Sequence, residues 1–104
     1  MNSPQKMLLI FIDETDMCGD VPLYEAILRR LLALEVSGAT ANAGIMGFGS
    51  HRTIHRKRLF GVADDRTITI ACVEAEDKLR AVLPHIRPMV KEGLVLLVDV
   101  EVVD

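Results

Sequence analysis

The sequence is poor in cysteine and in long apolar runs, and each shortage excludes a class of protein. Only two of its 104 residues are cysteines. Cys18 and Cys72 lie far apart and form no C-x-x-C motif, so neither a redox motif nor a zinc knuckle is predicted. The longest apolar run near the N-terminus, Met7 to Ile12, is much shorter than the roughly 20 residues that span a bilayer. We therefore expect one cytoplasmic domain over residues 1–104, with free thiols.

The sequence also lacks an excess of basic residues. Its 12 Lys+Arg stand against 15 Asp+Glu, which argues against general affinity for nucleic acid because phosphate binding needs a basic face. The segment 50–58 departs from this balance, with four permanent cations and two histidines: Arg52, Arg56, Lys57, Arg58, His51 and His55. A cationic segment on an acidic body attracts a phosphate, a carboxylate or an acidic protein surface, although a solvated charged loop is the plain alternative.

Motifs for catalysis and for metal binding are missing. The sequence contains no G-x-S-x-G elbow, no Cys–His signature and no calcium loop of the Asp-x-Asp-x-Asp-Gly type. His51 and His55 have the spacing of a metal pair on a helix, but the basic residues beside them would repel a cation. We predict no catalytic residue, no metal ligand and no enzyme activity.

The hydrophobic pattern predicts four strands and two helices in the order βαββαβ. We expect strands over 6–13, 39–48, 67–74 and 94–103, and helices over 21–36 and 76–92. Asp20 is the expected helix cap, and Pro84 is expected to kink the second helix. Two βαβ halves of similar length indicate an α+β ferredoxin-like sandwich, with both helices on one face of a mostly antiparallel sheet.

The second face of such a sheet needs a cover, because the chain has no residues left for a third layer. We assign to this face the apolar strand residues Met7, Leu9, Phe11, Ile68, Ile70 and Cys72. An exposed apolar sheet face is a typical site of subunit contact, so self-association is predicted.

Several motifs together resemble a known family. They are Pro22–Ile27 (Pro-Leu-Tyr-Glu-Ala-Ile), Ser37–Thr40, Gly44–Gly49 (Gly-Ile-Met-Gly-Phe-Gly), Ile54–His55, Val90–Val95 and Asp99–Val100. This set resembles the PII-like family labelled domain of unknown function 190, a relative of the PII nitrogen-regulatory signal-transduction proteins. The resemblance covers about residues 7–103, and the combination of motifs is specific where each alone would be weak.

The resemblance implies a regulatory protein without turnover. It implies a PII-like homotrimer that binds a small anionic effector, such as an adenine nucleotide, in clefts between subunits, and that signals through a flexible basic loop at about 49–63. The implied partner is a target protein such as a membrane transporter or channel, and not a nucleic acid. The implied ligand-binding residues are Gly38, Thr40, Gly47, Phe48, Gly49, Arg52, His55, Arg56, Lys57, Arg58, Lys91 and Gly93.

The residues by themselves leave other interpretations open. Without the resemblance, Gly47 and Gly49 indicate a bulge or turn, and Phe48 a packing residue. His55 or His51 could serve as the acid or base of a small ferredoxin-like enzyme acting on a phosphorylated or carboxylated substrate. The basic segment could instead dock a protein or nucleic acid without any small ligand.

Overall fold

Alternating strands and helices build the chain in the order expected from its hydrophobic pattern. The computed structural model describes residues 4–48, 55–56 and 66–104. Its elements are β1 (Gln5–Asp13), β2 (Met17–Cys18), β3 (Val21–Pro22), α1 (Leu23–Ala33), β4 (Thr40–Ala43), β5 (Met46–Gly47), β6 (His55–Arg56), β7 (Thr67–Ala75), α2 (Glu76–Ile86), a 3-10 turn (Arg87–Met89) and β8 (Leu94–Asp99).

The four long strands form one sheet in the order β4-β7-β1-β8, and every neighbouring pair is antiparallel. The first βαβ half contains β1 and β4, and the second contains β7 and β8. In the sheet β7 lies between β4 and β1, and β1 lies between β7 and β8, so each half inserts one strand between the two strands of the other half. This is the ferredoxin-like arrangement, and the predicted α+β fold is confirmed.

Both helices cover the same face of the sheet and bury its apolar residues. The core consists of Leu8, Ile10, Ile12, Leu23, Ile27, Leu31, Val36, Ile68, Ile70, Cys72, Leu79, Val82, Ile86 and Val90. The helical members recur at spacings of three, four and seven residues, which places them on one side of each helix.

The assignment of Ile68, Ile70 and Cys72 to the uncovered face was wrong. Directly opposed residues share a face, and Ile70 stands opposite Ile10 in the register of β1 and β7, so it lies under the helices. The face away from the helices is called here the open face. It carries Met7, Leu9 and Phe11 as predicted, together with Val73, Leu94, Leu96 and Val98. The alternation misled because β1 and β7 both carry apolar residues on their two sides.

Element boundaries differ from the sequence prediction where short turns intervene. Asp20 does not cap α1: Val21 and Pro22 pair with Cys18 and Met17 as a small hairpin, and the helix follows without a side-chain cap. The predicted strand 39–48 divides into β4 and β5, and the last strand ends at Asp99 rather than Val103. Helix α2 continues through Pro84 and passes into the 3-10 turn at Arg87.

Candidate functional site

Gly93, one of the predicted ligand-binding residues, holds the turn that leads into β8. Its backbone φ of 139° is one that residues with a side chain rarely adopt. A Cβ at this position would also collide with the Phe11 carbonyl oxygen. The same Cβ would lie 3.2 Å from Cγ1 of Val90. The turn is therefore packed directly against the end of β1, and Lys91 is exposed beside it.

Gly38 and Thr40 lie at the other edge of the sheet. Thr40 begins the edge strand β4 and stands opposite Ala71 of β7, with its side chain on the open face. Strands β7 and β1 separate this edge from β8, so about 14 Å lie between the outer strands at the usual strand spacing. One protomer therefore does not bring Gly38 and Thr40 together with Lys91 and Gly93.

Glu74 fixes the connection between α1 and β4. Its carboxylate accepts hydrogen bonds from the backbone N–H of Ser37 at 3.1 Å and of Ala75 at 3.3 Å. These donors, Ser37 first, lower the pKa of Glu74 below its ordinary value against the opposing effect of burial. Glu74 thus positions the chain just before Gly38.

The lowered pKa of Glu74 predicts a loss of stability in acid. The unfolded carboxyl, with an ordinary pKa of about 4.3, binds protons more readily than the folded one, so the stabilisation exists above that pH and disappears as the pH falls through the folded value. Glu74→Gln should therefore differ most from the wild type at pH 7 and converge with it towards pH 3. Urea unfolding across this range measures the difference, and a gap that is equal at both ends would contradict the assignment.

Gly44 is the point at which the chain leaves the main sheet. Its N–H donates to the carbonyl oxygen of Thr67 at 2.8 Å, which adds one bond beyond the last β4–β7 pair. The chain then forms β5, whose Gly47 stands opposite His55 of β6. The structure thus brings together two predicted ligand-binding positions, Gly47 and His55, and leaves the Phe48 side chain exposed.

A second anchor holds the chain where it returns to the sheet at Arg66. The Glu14 N–H donates to the Arg66 carbonyl oxygen at 2.8 Å, and the Arg66 Nε donates to the Glu14 carboxylate at 3.1 Å and 3.3 Å. Sequence reasoning missed this pair, because its members are 52 positions apart in the sequence and neither belongs to a motif. The segment between Gly44 and Arg66 therefore starts and ends at fixed points on one end of the sheet.

Part of the predicted site lies outside the described residues. This applies to Gly49, Arg52, Lys57 and Arg58, and also to His51. For His55 and Arg56 the structure gives the strand alone. The role of these residues in binding an anion stays a prediction.

The described residues offer little of the chemistry of a metal or redox centre. Across residues 4–48, 55–56 and 66–104, no three His, Cys, Asp or Glu side chains lie close enough to hold a metal ion. Burial raises the pKa of the Cys72 thiol, which keeps it protonated within the core.

No helix in the described part of the chain is both long and apolar enough to cross a membrane.

Comparison with known sequences identifies the family. The family model of domain of unknown function 190, described as Uncharacterized ACR, matches residues 5–102. A UPF0166 protein of Methanocaldococcus jannaschii is 31% identical over 98 residues, which cover 93% of this chain and 90% of the relative. A UPF0166 protein of Aquifex aeolicus is 29% identical over 99 residues, covering 95% and 93% of the two chains.

Comparison with solved structures identifies the fold. CPII, a nitrogen regulatory PII-like protein from Thiomonas intermedia K12 bound to ADP, AMP and bicarbonate, superposes with a TM-score of 0.69 at 24% identity, covering 98% of this chain and 91% of CPII. Arabidopsis thaliana PII bound to citrate superposes with a TM-score of 0.63 at 14% identity, covering 94% and 78%. The sequence match and the shared architecture lead to one conclusion: the chain belongs to the family of domain of unknown function 190 and has a PII-like fold.

Proposed function

We propose that the protein is a cytoplasmic PII-like regulator that binds a small anionic effector in the clefts of a homotrimer. The observation that carries this proposal is the position of Gly38 and Thr40 on one edge of the sheet and of Lys91 and Gly93 on the other. Two protomers that contribute opposite edges would bring both groups to one cleft, where a single small ligand can contact them.

A contact between opposite edges favours a closed ring of protomers. Such a contact is heterologous, because each protomer presents its β4 edge to one neighbour and its β8 edge to the next, and heterologous contacts generate rings when the rotation closes. In a ring of three the open faces turn inward and cover one another. Burying Leu94 and Leu96 there would add about 1.5–3 kcal/mol for each fully buried side chain.

The ligands of the structural relatives support an anionic effector. CPII is bound to ADP, AMP and bicarbonate, and the Arabidopsis PII is bound to citrate, all of which carry negative charge. In this chain the segment 50–58 supplies the matching positive charge, with Lys91 from the neighbouring protomer. An adenine nucleotide fits this requirement.

The regulator acts by a shift of populations, and no covalent bond is broken. Effector bound at the cleft favours the arrangement of residues 49–63 that binds it more tightly, which changes the surface offered to a target protein such as a membrane transporter or channel. The effect on the target is limited by the difference in effector affinity between the two arrangements.

Removing the positive charge tests the proposed anion site. Changing Arg56, Lys57 and Arg58 together to Ala should weaken effector binding by at least about 2 kcal/mol, because charge-assisted hydrogen bonds contribute about 1.5–3 kcal/mol each. Calorimetric titration against nucleotides, bicarbonate and dicarboxylates measures the affinities, with thermal melts to check folding.

A matched control removes the same charge elsewhere. Arg29, Lys78 and Arg80 lie on the helices, and their joint replacement by Ala should leave effector affinity unchanged. If both triple variants lose the same effector affinity, the loss comes from the change in net charge and not from a site at Arg56, Lys57 and Arg58. If the wild type binds no member of the panel, the proposed effector site is contradicted. The result would instead favour a basic segment that docks a protein without any small ligand.

A further inference from the structure

The open face is divided lengthwise into an apolar half and a polar half. Strands β1 and β8 present only apolar residues in its centre, namely Met7, Leu9, Phe11, Leu94, Leu96 and Val98. Strands β4 and β7 present hydroxyl and amide groups, namely Thr40, Asn42, Thr67 and Thr69, with Ala71 and Val73 completing β7. Of these polar groups only Thr40 belongs to the predicted site, so Asn42, Thr67 and Thr69, called here the polar strip, are additional.

The polar strip forms a continuous cluster. Asn42 and Thr69 stand directly opposite each other in the β4–β7 register, which places their Cβ atoms about 4.5–5.5 Å apart on one face. Thr67, two residues before Thr69, lies on the same side of β7, and its carbonyl oxygen accepts a hydrogen bond from the Gly44 N–H. The strip therefore lies where the chain leaves the sheet towards the cationic segment.

The hydrogen-bonding groups of the polar strip have no partner among the described residues. Within the described parts of the chain, none of its three side chains makes a hydrogen bond to another group. Packing them against an apolar neighbour would cost about 1–3 kcal/mol for each unsatisfied group. A protomer contact that covers the apolar half of the face thus favours leaving this half to water or a polar ligand.

Among the described residues, one acidic side chain shares the face of the sheet with the strip and lies at its end. The strip itself is neutral, and Asp13 stands opposite Thr67 with its carboxylate engaged by the Thr15 N–H and hydroxyl at 2.9 Å and 2.7 Å. A carboxylate at this end of the strip repels a phosphate or carboxylate group but not a hydroxyl or amino group.

We propose that Asn42, Thr67 and Thr69 form a neutral subsite that hydrogen-bonds the uncharged, hydroxyl- or amino-bearing part of the effector. This inference rests on the proposed function, which supplies the anionic part of the same ligand. It makes a nucleotide a better ligand than a simple anion, because only the nucleotide offers sugar and base groups to the strip.

Removing the hydroxyl and amide groups tests the subsite. In Thr69→Val the shape is kept and only hydrogen-bonding capacity is lost, while in Asn42→Ala the amide is removed from an exposed edge position. Titration with AMP should show a loss of about threefold to tenfold in each variant, the range expected for one net hydrogen bond. Titration with bicarbonate should give the same affinity as the wild type.

Gln5→Ala provides the control, because Gln5 is a polar residue on the same face at the opposite end of β1. It should bind AMP as the wild type does. Unchanged AMP affinity in both subsite variants would overturn the subsite while leaving the proposed function intact, and so would a wild type that binds bicarbonate but not AMP. Sedimentation of the variants detects a third outcome. If the substitutions dissociate the protomers, the strip contacts a second copy of the chain, and this also overturns the subsite. A wild type that binds no anion overturns the proposed function and the subsite together.

Discussion

Gly93→Ala is expected to lower the free energy of unfolding by about 2–6 kcal/mol. The substitution combines two costs, since a φ of 139° is strained for alanine and the added Cβ meets the Phe11 carbonyl oxygen. Strain and overpacking each cost about 1–3 kcal/mol, and neither side can yield easily because the obstructing atom belongs to the backbone of a central strand.

Two other glycines separate these costs in urea denaturation. Gly19→Ala retains the positive φ of 63° but has open space around the new Cβ, so it should cost about 1–2 kcal/mol. Gly38→Ala has neither problem and should change stability by less than about 0.5 kcal/mol. If Gly93→Ala were as stable as Gly38→Ala, the packed turn before β8 would be wrong.

A charge placed under the helices is expected to prevent folding, whereas a charge placed on the open face is expected to prevent assembly alone. Ile70 is 1% exposed under the helices, so Ile70→Asp would bury an unpaired carboxyl at a cost of several kcal/mol and should prevent folding. Leu96 is 39% exposed on the open face, so Leu96→Asp should leave the protomer folded and should disrupt only the contact between protomers in the proposed trimer. Circular dichroism reports the first result, and sedimentation reports the second as a species near 11.5 kDa.

An exposed leucine away from both faces serves as the reference for these two variants. Leu32 is 76% exposed on α1, and Leu32→Asp should change neither folding nor the sedimentation of the assembly. A folded Ile70→Asp variant would contradict the register of β1 and β7. A Leu96→Asp variant that sediments like the wild type would contradict a trimer whose open faces turn inward.

The order of elements could be predicted from the sequence because each element carries its own period. The helical stripe through Leu23, Ile27 and Leu31 and the alternation from Thr67 to Ile70 are local signals, and two βαβ halves leave few topologies. The faces of the central strands could not be predicted in this way. Apolar residues occupy both sides of β1, and only its pairing with β7 shows that Ile10 and Ile70 share the core.

The candidate site was only partly predictable for a similar reason. Motifs identified Gly93, but the collision that makes it necessary involves Phe11, which is distant in sequence. The polar strip is visible only after the register places Asn42 opposite Thr69. Glu14 and Arg66 are ordinary charged residues in the sequence, and their pairing depends on the return of the chain to the sheet.

The two anchors at Gly44 and Arg66 allow the segment between them to change in length and sequence without disturbing the sheet. The Thr67 carbonyl and the Glu14–Arg66 pair fix both ends of the segment to the sheet. The entropy of closing a loop between fixed ends rises only slowly with the length of the loop. Doubling the number of residues in a flexible loop costs about 0.6 kcal/mol. Relatives could therefore change the length and charge of this segment while keeping the same sheet.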